Sequence, residues 1–215
     1  MIDKQVSSVA EAVAGIKDDS VILVGGFGSS GRPADLMEGL LDLGVRGLTI
    51  VANNATVGDD IVSELMSAGR IRKVVCSFPR GLKGRTIFDE LYAAGKIELD
   101  LVPQGTLAER IRAGAAGTRL AEGKETRVID GQTYVLEHPI KGDVALLKGL
   151  RGDRWGNLVY HRGARINNPV MAGAARLVIA QVREIVPLGA LDPEHIVTPG
   201  VFVDRLVELR NERQA

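Results

Sequence analysis

The sequence is poor in cysteine and carries no net charge. Its single cysteine, Cys76, excludes an intrachain disulfide and a zinc site built from several thiolates. Lysine and arginine total 27, and aspartate and glutamate also total 27. Surfaces that bind nucleic acid or anionic membranes show a basic excess, so we expect neither as a partner. The charge balance also leaves little repulsion to oppose association with another protein chain.

Long apolar runs are missing as well. No stretch approaches the roughly 20 apolar residues that a membrane-spanning helix needs. The first residues, 1–19, have no apolar core of the kind that a signal peptide contains, so we expect a cytoplasmic protein.

Aromatic residues make up only 4% of the chain, whereas glycine occurs 26 times. The glycines are dispersed without a repeat, which excludes a fibrous or low-complexity chain. They concentrate where the predicted strands end, which indicates many tight strand-to-helix turns. At 215 residues the chain is long enough to bury a large core, and we expect one domain over residues 1–215.

The first half alternates predicted strands and helices. The apolar run at 21–24 lacks polar alternation, as is typical of strands covered on both faces. A helix over 5–16 is predicted before it. The four predicted strands lie at 21–24, 48–51, 73–77 and 97–102, and the helices that follow them lie at 33–43, 58–68, 86–94 and from Thr106. A capping box of Thr106 and Glu109 marks the start of the last helix. This alternation predicts an α/β fold with an open, mainly parallel, doubly wound sheet.

The second half has a different pattern. Asp130-Gly131 joins two strand-like segments, 126–129 and 132–136, in a predicted hairpin. Further strands are predicted at 144–147, within 155–160 and at 177–182, and helices at 168–176 and 199–210. We therefore expect a mixed sheet with an added hairpin.

In open α/β sheets ligands bind at the carboxyl ends of the strands, so the loops that follow the strands are the candidates for a site. Four of these loops, 25–31, 53–54, 77–80 and 104–105, are rich in glycine or in small and amide side chains. Glycine lets a ligand approach backbone N–H groups, and amides donate and accept in fixed directions. The pattern predicts a site for a polar ligand and an oxyanion, with no acid–base pair, no catalytic residue and no metal ligand from this chain. The candidate binding residues are Gly25, Gly26, Phe27, Gly28, Gly31, Asn53, Asn54, Gln104 and Gly105.

A dinucleotide site is a weaker interpretation of the first loop. Residues 26–31 match G-x-G-x-x-G, but such a fold needs an acid at the end of the second strand to hold the ribose. Asn53 and Asn54 stand there instead, and Asp59 and Asp60 fall inside the following predicted helix.

Nucleophilic and metal-based chemistry is also disfavoured. Ser30 does not fit the nucleophile elbow G-x-S-x-G, because Arg32 occupies the second glycine position. Cys76 ends a buried strand and is interpreted as an inert apolar residue. The three histidines are scattered and have no evident acid partner: His138, His161 and His195. Three basic residues are interpreted as a solvated loop: Arg80, Lys83 and Arg85.

At these loops the sequence resembles family I CoA-transferases, on their A (alpha) subunit. The glycine signature is carried by VGGFGSSGRP at 24–33, and NNA at 53–55 and PQGTLAERIRAG at 103–114 match further motifs. The stretches 120–125 and 152–158 match as well, so the resemblance covers nearly the whole chain.

The resemblance implies an enzyme that moves CoA from succinyl-CoA to a 3-oxo acid, by a ping-pong route through a glutamyl-CoA thioester. Segments 76–80 and 192–200 look most like the type that accepts 3-oxoadipate, with the acetoacetate type close behind. The nucleophilic glutamate belongs to a B (beta) subunit, in a Glu-Asn-Gly type motif, and this chain has no Glu-Asn pair. The implied partner is therefore a B subunit, in an A2B2 assembly, and the CoA thioester is a substrate with no permanently bound cofactor. Gln104 and Asn53 match positions that line the substrate pocket.

The sequence departs from the family at two places. Asp19 stands where the signature has Gly or Asn. After Gly117 the family carries about a dozen residues, with aromatics and Pro-Thr-Gly, that are missing here. Either this is a true deletion or a loop was left out of the sequence. Two other classes stay open beside the transferase: a nucleotide-cofactor oxidoreductase and a non-catalytic binding or regulatory homologue.

Overall fold

The fold is described from a computed structural model, which covers residues 2–56, 60–79, 84–116, 126–135 and 137–209. The strands are β1 (Gln5–Val6), β2 (Val21–Val24), β3 (Leu48–Val51), β4 (Ile71–Cys76), β5 (Glu98–Leu101), β6 (Thr126–Ile129), β7 (Gln132–Val135), β8 (Gly142–Lys148), β9 (Arg151–Asp153), β10 (Leu158–Val159), β11 (Ala175–Val182), β12 (Glu184–Val186) and β13 (Arg205–Glu208). The helices are α1 (Val9–Val13), α2 (Ala34–Leu43), α3 (Ile61–Ser67), α4 (Ile87–Ala93), α5 (Gln104–Ala115) and α6 (Asn168–Ala172). Short 3₁₀ turns lie at Arg162–Arg165, Pro193–His195 and Gly200–Phe202.

The main sheet has eight strands in the order β1-β13-β11-β8-β2-β3-β4-β5. Every pairing in it is parallel, which confirms the α/β class. The expectation of a mixed sheet was wrong, because the antiparallel pairs lie outside it. They form the predicted hairpin β6-β7 and the pair β9-β10 in a small second sheet.

Helices cover both faces of the main sheet, as the continuous apolar strands predict. Ile22 and Val24 pack on one face with residues of α1, α2, α3 and α4. Leu23, which points the other way, packs with residues of α5 and α6. Each such fully buried side chain contributes about 1.5–3 kcal/mol. The helices thus form two layers, one on each face of the sheet, and α5 and α6 lie in the same layer.

Residues with positive φ mark several turns and helix ends. Gly69 and Gly95, just past α3 and α4, have φ of 65° and 66°, the left-handed conformation of a helix C-terminal glycine. Asp130 and Gly131 have φ of 51° and 76°, as a tight hairpin turn requires. Asp19 also has a positive φ, 60°, which gives a physical reason for the Gly or Asn of the family signature.

Two predictions in the first half need correction. The predicted helix over 5–16 is a short strand, β1, followed by α1, whose N-cap Ser8 accepts a hydrogen bond from Glu11 N. Helix α5 begins at Gln104 with Pro103 as N-cap, so the capping box of Thr106 and Glu109 does not mark its start. Thr106 lies in the first turn of that helix.

The second half contains the largest error. The predicted helix over 199–210 is a 3₁₀ turn followed by β13, which pairs with β1 on one side and β11 on the other. The apolar residues that predicted a helix belong instead to a strand inside the sheet, in which Leu206 and Val207 are fully buried. Helix α6 ends at Ala172, earlier than predicted, and β11 starts at Ala175. Strands β9 and β12 were not predicted.

Candidate functional site

The glycine loop, residues 25–31, joins β2 to α2 and is folded back on itself. Phe27 N donates to Ser30 O at 2.9 Å, and Ser30 N donates to Phe27 O at 3.1 Å. Gly26 and Gly31 have φ of 102° and 70°, a region that side chains with a Cβ rarely adopt. A Cβ at Gly26 would also press on the backbone of Ser30. Glycine is therefore required for this loop to close.

Three side-chain amides connect the glycine loop to the ends of β3 and β5. Gln104 Nε2 donates to Asn53 Oδ1 at 3.2 Å, and Asn53 Nδ2 donates to Asn54 Oδ1 at 2.6 Å. Asn54 Oδ1 also accepts from Gly28 N at 3.1 Å. We call Gln104, Asn53 and Asn54 the amide chain. It shows that three of the four loops chosen from the sequence meet at the carboxyl edge of the sheet.

The fourth loop joins the same group through the backbone. Ser77 N and Phe78 N, after β4, donate to Asn53 O at 3.1 and 3.0 Å. The hydroxyl oxygens of Ser77 and Thr56 are buried and have no hydrogen-bond partner among the described residues. Phe78, like Phe27 in the glycine loop, is exposed. The edge therefore has two buried hydroxyl groups without a partner among the described residues and two accessible aromatic rings.

The three amides differ in what they offer a ligand. Asn53 is only 4% exposed, and both ends of its amide are occupied within the amide chain. Gln104 is exposed, in the first turn of α5, where the positive end of the helix dipole favours an anion. Asn53 thus orients its neighbours, while Gln104 can face a ligand directly. Gly105 is exposed beside Gln104.

The backbone N–H groups of the glycine loop fall into two sets. Those of Gly25, Phe27, Gly28 and Ser30 donate within the protein. Those of Gly26, Ser29 and Gly31 donate to no group in the part of the chain that the structure describes. The second set therefore contains the candidate donors to an oxyanion: Ser29 is exposed, Gly31 is half-buried and Gly26 is buried.

A buried ion pair, missed by the sequence reasoning, supports the amide chain. Arg32, 8% exposed, pairs with Asp60, and its Nη2 donates to Asn54 O at 3.1 Å. Burial lowers the pKa of the Arg32 guanidinium, and the charge of Asp60 opposes that shift. Asp60 is the N-cap of α3, accepting from Ser63 N, so its placement inside a helix was wrong. An acid directly before an apolar helical run is an N-cap pattern that could have been found. Asp59 lies outside the described residues.

A pair of asparagines, also missed, lies behind the glycine loop. Asn167 Nδ2 donates to Gly26 O at 2.8 Å, and Asn168 Nδ2 donates to Gly31 O at 3.0 Å. Asn168 is fully buried, and a Cβ at Gly25 would overlap its Oδ1. No local pattern in the sequence links these asparagines to a loop about 140 residues earlier.

The other reactive side chains considered in the sequence lie outside the site or are buried. His195 does have an acid partner, contrary to expectation, because its Nδ1 lies 2.7 Å from Asp192 Oδ2. Both side chains are more than half exposed, in the 3₁₀ turn Pro193–His195 rather than on a loop of the site. Cys76 is fully buried, and burial raises the pKa of its thiol to about 12, so it stays protonated and unreactive. Arg85 is exposed, as predicted, and Arg80 and Lys83 lie outside the described residues.

The described residues contain no cluster of three or more His, Cys, Asp or Glu side chains able to hold a metal ion. None of the helices in the described ranges has the length and apolar character needed to cross a bilayer.

Fold and site together define an α/β protein with a ligand site at the carboxyl edge of its sheet, lined by glycine backbone and side-chain amides. The family model for coenzyme A transferase matches residues 6–209. The chain therefore belongs to the coenzyme A transferase family, a family of transferase enzymes.

Relatives of this chain carry two kinds of name. The A subunit of 3-oxoadipate CoA-transferase from Pseudomonas putida is 56% identical, over 96% of this chain and 94% of that protein. The A subunit of succinyl-CoA:3-ketoacid coenzyme A transferase from Xanthomonas campestris is 45% identical, over 95% of this chain and 88% of that protein. The fold is shared with an acyl-CoA transferase from E. coli O157:H7, solved as a thioester complex with CoA. The TM-score is 0.83 at 22% identity, over 99% of this chain and 48% of that chain, so this chain spans about half of its length.

The alignment with the Pseudomonas putida protein extends over 218 positions, although it covers only 96% of this 215-residue chain. That relative therefore has residues within the aligned region that this chain lacks. The shortening expected after Gly117 falls in residues 117–125, which lie outside the described residues.

Proposed function

We propose that this chain is the A subunit of a two-subunit CoA-transferase that moves CoA from succinyl-CoA to a 3-oxo acid. The first choice of acceptor is 3-oxoadipate, and the second is acetoacetate. The observation that carries the proposal is the amide chain meeting the glycine loop, a site whose described residues are rich in hydrogen-bond donors and form no acid–base pair. The names of the two relatives support both the place of this chain in the complex and the order of acceptors.

The chemistry needs such a site. In the first step, a glutamate carboxylate from the B subunit's side of the site attacks the thioester carbonyl of succinyl-CoA, and CoA leaves as a thiolate. The thiolate then attacks the glutamyl carbonyl of the resulting anhydride, which forms the glutamyl-CoA thioester and releases succinate. The 3-oxo acid runs the same steps in reverse and leaves as its CoA thioester. Each attack places negative charge on a carbonyl oxygen.

The residues of this chain would act on that charge. Preorganised donors in a site that excludes water are the main means of stabilising an oxyanion, and removing one typically costs about 10²–10³ in rate. We assign this role to the free N–H groups of Gly26 and Gly31 and to the amide of Gln104. Gly25, Phe27, Gly28, Asn53, Asn54 and Gly105 shape the same pocket for the CoA thioester and the acid. No permanently bound cofactor is required, and we place the enzyme in the cytoplasm as one domain over residues 1–215.

The test is a transferase assay with the chain alone and with the B subunit encoded beside it. Succinyl-CoA is supplied with 3-oxoadipate or with acetoacetate, and the new acyl-CoA is measured. We expect turnover only from the two-subunit complex, faster with 3-oxoadipate. Comparable turnover by the chain alone would refute the two-subunit proposal, and a complex inactive with both acids would refute the transferase proposal.

A further inference from the structure

We propose that Asn167 and Asn168 are positioning residues, which hold Gly26 and Gly31 so that their free N–H groups keep the orientation that the reaction needs. This inference rests on the function proposed above. Neither asparagine belongs to the glycine loop or to the amide chain, and both stand at the start of α6.

The first argument is a match between two sets of atoms. Among the described residues, Gly26 and Gly31 are the two glycines of the loop whose N–H groups have no acceptor. Their own carbonyl oxygens are the two that the asparagines hold: Gly26 O by Asn167 and Gly31 O by Asn168. Each of these carbonyls lies in the peptide group that follows its glycine, so the asparagines fix one side of the two glycines whose N–H groups have no acceptor and restrain those N–H groups through the glycine backbone.

The second argument is that both asparagines are buried and that hydrogen bonds to the protein hold their side-chain amides in place. Asn168 is fully buried, and its amide also accepts from Lys148 N at 3.0 Å and donates to Ala164 O at 2.9 Å. It therefore ties the loop to the end of β8 and to the turn before α6. Asn167 is 9% exposed and has one side-chain hydrogen bond, to Gly26 O. The amide chain holds the loop separately through Gly28 N, so two separate groups of side chains fix the loop, at three of its glycines.

The third argument is steric. Gly25 has room for no side chain because Asn168 Oδ1 fills that space, and a Cβ at Gly31 would press against Ala164. The glycine loop is therefore in direct contact with Asn168 and Ala164, and a displacement of these residues moves the loop. Misplacement of reacting groups by about 1 Å can cost roughly 10²-fold in rate.

The experiment uses Asn167, because Asn168 makes three hydrogen bonds and its variants risk misfolding. Asn167→Ala removes the donor to Gly26 O. Asn167→Asp keeps the shape but turns a carboxylate oxygen towards that carbonyl. If Asn167 only fills space, the aspartate variant works at least as well as the alanine variant. If its donor positions the loop, the aspartate variant is the worse of the two.

We expect kcat of the two-subunit complex to fall roughly tenfold in Asn167→Ala and roughly 10²-fold in Asn167→Asp. KM should stay unchanged, because the free N–H groups act on charge that develops only in the transition state. The matched control is Asn157→Ala. Asn157 bonds to Asp153 and to Gly200 N, so its loss should lower Tm while leaving kcat intact.

A second measurement is independent of activity. Amide hydrogen exchange of residues 27–30 should be at least several-fold faster in Asn167→Asp than in the wild-type complex, and unchanged in Asn157→Ala. An inactive wild-type complex would count against the proposed function, and the exchange result would then decide the positioning role by itself. Unchanged exchange in Asn167→Asp, or a kcat no lower than that of Asn167→Ala, would overturn the inference.

Discussion

Asparagine and glutamine hold positions in this site where an acid would change the chemistry. Asn53 Nδ2 donates to Asn54 Oδ1, and Gly28 N donates to that same oxygen. An ionised carboxylate there would repel an oxyanion forming nearby, whereas a neutral amide donates to it. The amides thus add no negative charge to the edge of the sheet, where the Asp60 carboxylate is paired with Arg32.

Gln104 gives the most direct test at the residue scale. Gln104→Ala, paired with a normal B subunit, should lower kcat/KM by roughly 10²-fold, the scale for losing one oriented donor. The free energy of unfolding should change by only about 1 kcal/mol, because the lost contact is a single hydrogen bond to Asn53. Steady-state kinetics and chemical denaturation measure the two effects.

Gln132→Ala is the control for that substitution. Gln132 is also exposed and also makes one side-chain hydrogen bond, from the Tyr134 hydroxyl in the β6-β7 hairpin. Its variant should keep normal turnover. If Gln104→Ala behaved in the same way, Gln104 would be a helix-start residue without a part in the reaction.

The raised pKa of the buried Cys76 thiol predicts that the stability of the protein depends on pH. Burial raises the pKa of its thiol from 9.0 to about 12, so between these values the unfolded chain releases a proton that the folded chain keeps. Stability therefore falls as pH rises through this window, by about 1.4 kcal/mol per pH unit for one group. Below about pH 9 both states are protonated, and the effect vanishes.

The variant Cys76→Ala should remove this contribution. Its free energy of unfolding relative to wild type should improve by about 2 kcal/mol between about pH 7.5 and about pH 10.5. Burial also raises the pKa of Tyr160, but that group contributes equally to both proteins. A difference between the two proteins that does not vary with pH would show that Cys76 ionises in the folded state.

At the scale of elements, the positions of the glycine loop require glycine for different physical reasons. At Gly25 a Cβ would overlap the buried amide of Asn168, while at Gly28, with φ of 59°, it would meet open space. We expect Gly25→Ala to lower the free energy of unfolding by roughly 2–3 kcal/mol, as overpacking does. Gly28→Ala should cost only about 1–2 kcal/mol, for the left-handed backbone. Thermal unfolding of both variants measures the difference, and equal losses would contradict the steric argument.

Sequence patterns predicted those elements whose cause is local. Glycines after α3 and α4 and the Asp-Gly turn between β6 and β7 act through their own backbone, so they can be recognised in a short window. Strand β13 was taken for a helix because its apolar spacing fits both periods. Its pairing in the sheet decides that it is a strand, and one of its two partners, β1, lies about 200 residues earlier in the sequence. The start of α5 was misplaced because a good capping pair competed with Pro103, which is the actual N-cap.

At the scale of the whole molecule, the site was predictable because parallel strands bring their carboxyl ends to one edge. Once β2, β3, β4 and β5 were recognised, the loops after them had to be neighbours. The support of those loops was not predictable. Asn167 and Asn168 reach the glycine loop only through the position of α6 against the sheet, and Arg32 pairs with Asp60 from a different loop.

The same edge predicts that the chain does not bind NAD or NADP tightly, despite its G-x-G-x-x-G spacing. Asn53 and Asn54 stand just past the end of β3, where a dinucleotide site needs an acid, and these neutral amides offer no carboxylate to a ribose hydroxyl. Calorimetric titration with each nucleotide should show no micromolar binding. Micromolar affinity would bring the oxidoreductase hypothesis back to first place.

The position of β13 has a consequence for how the protein is made. The ribosome delivers β1 first, yet β1 pairs only with β13 among the described strands, and β13 is synthesised some 200 residues later. During synthesis β1 therefore waits without a partner, and β11 emerges with one edge open, while β2 to β5 can already assemble beside one another. A ribosome that stalls before Arg205–Glu208 would release a chain in which the carboxyl edge of β2 to β5 is nearly complete but the far edge offers unpaired backbone to other nascent chains.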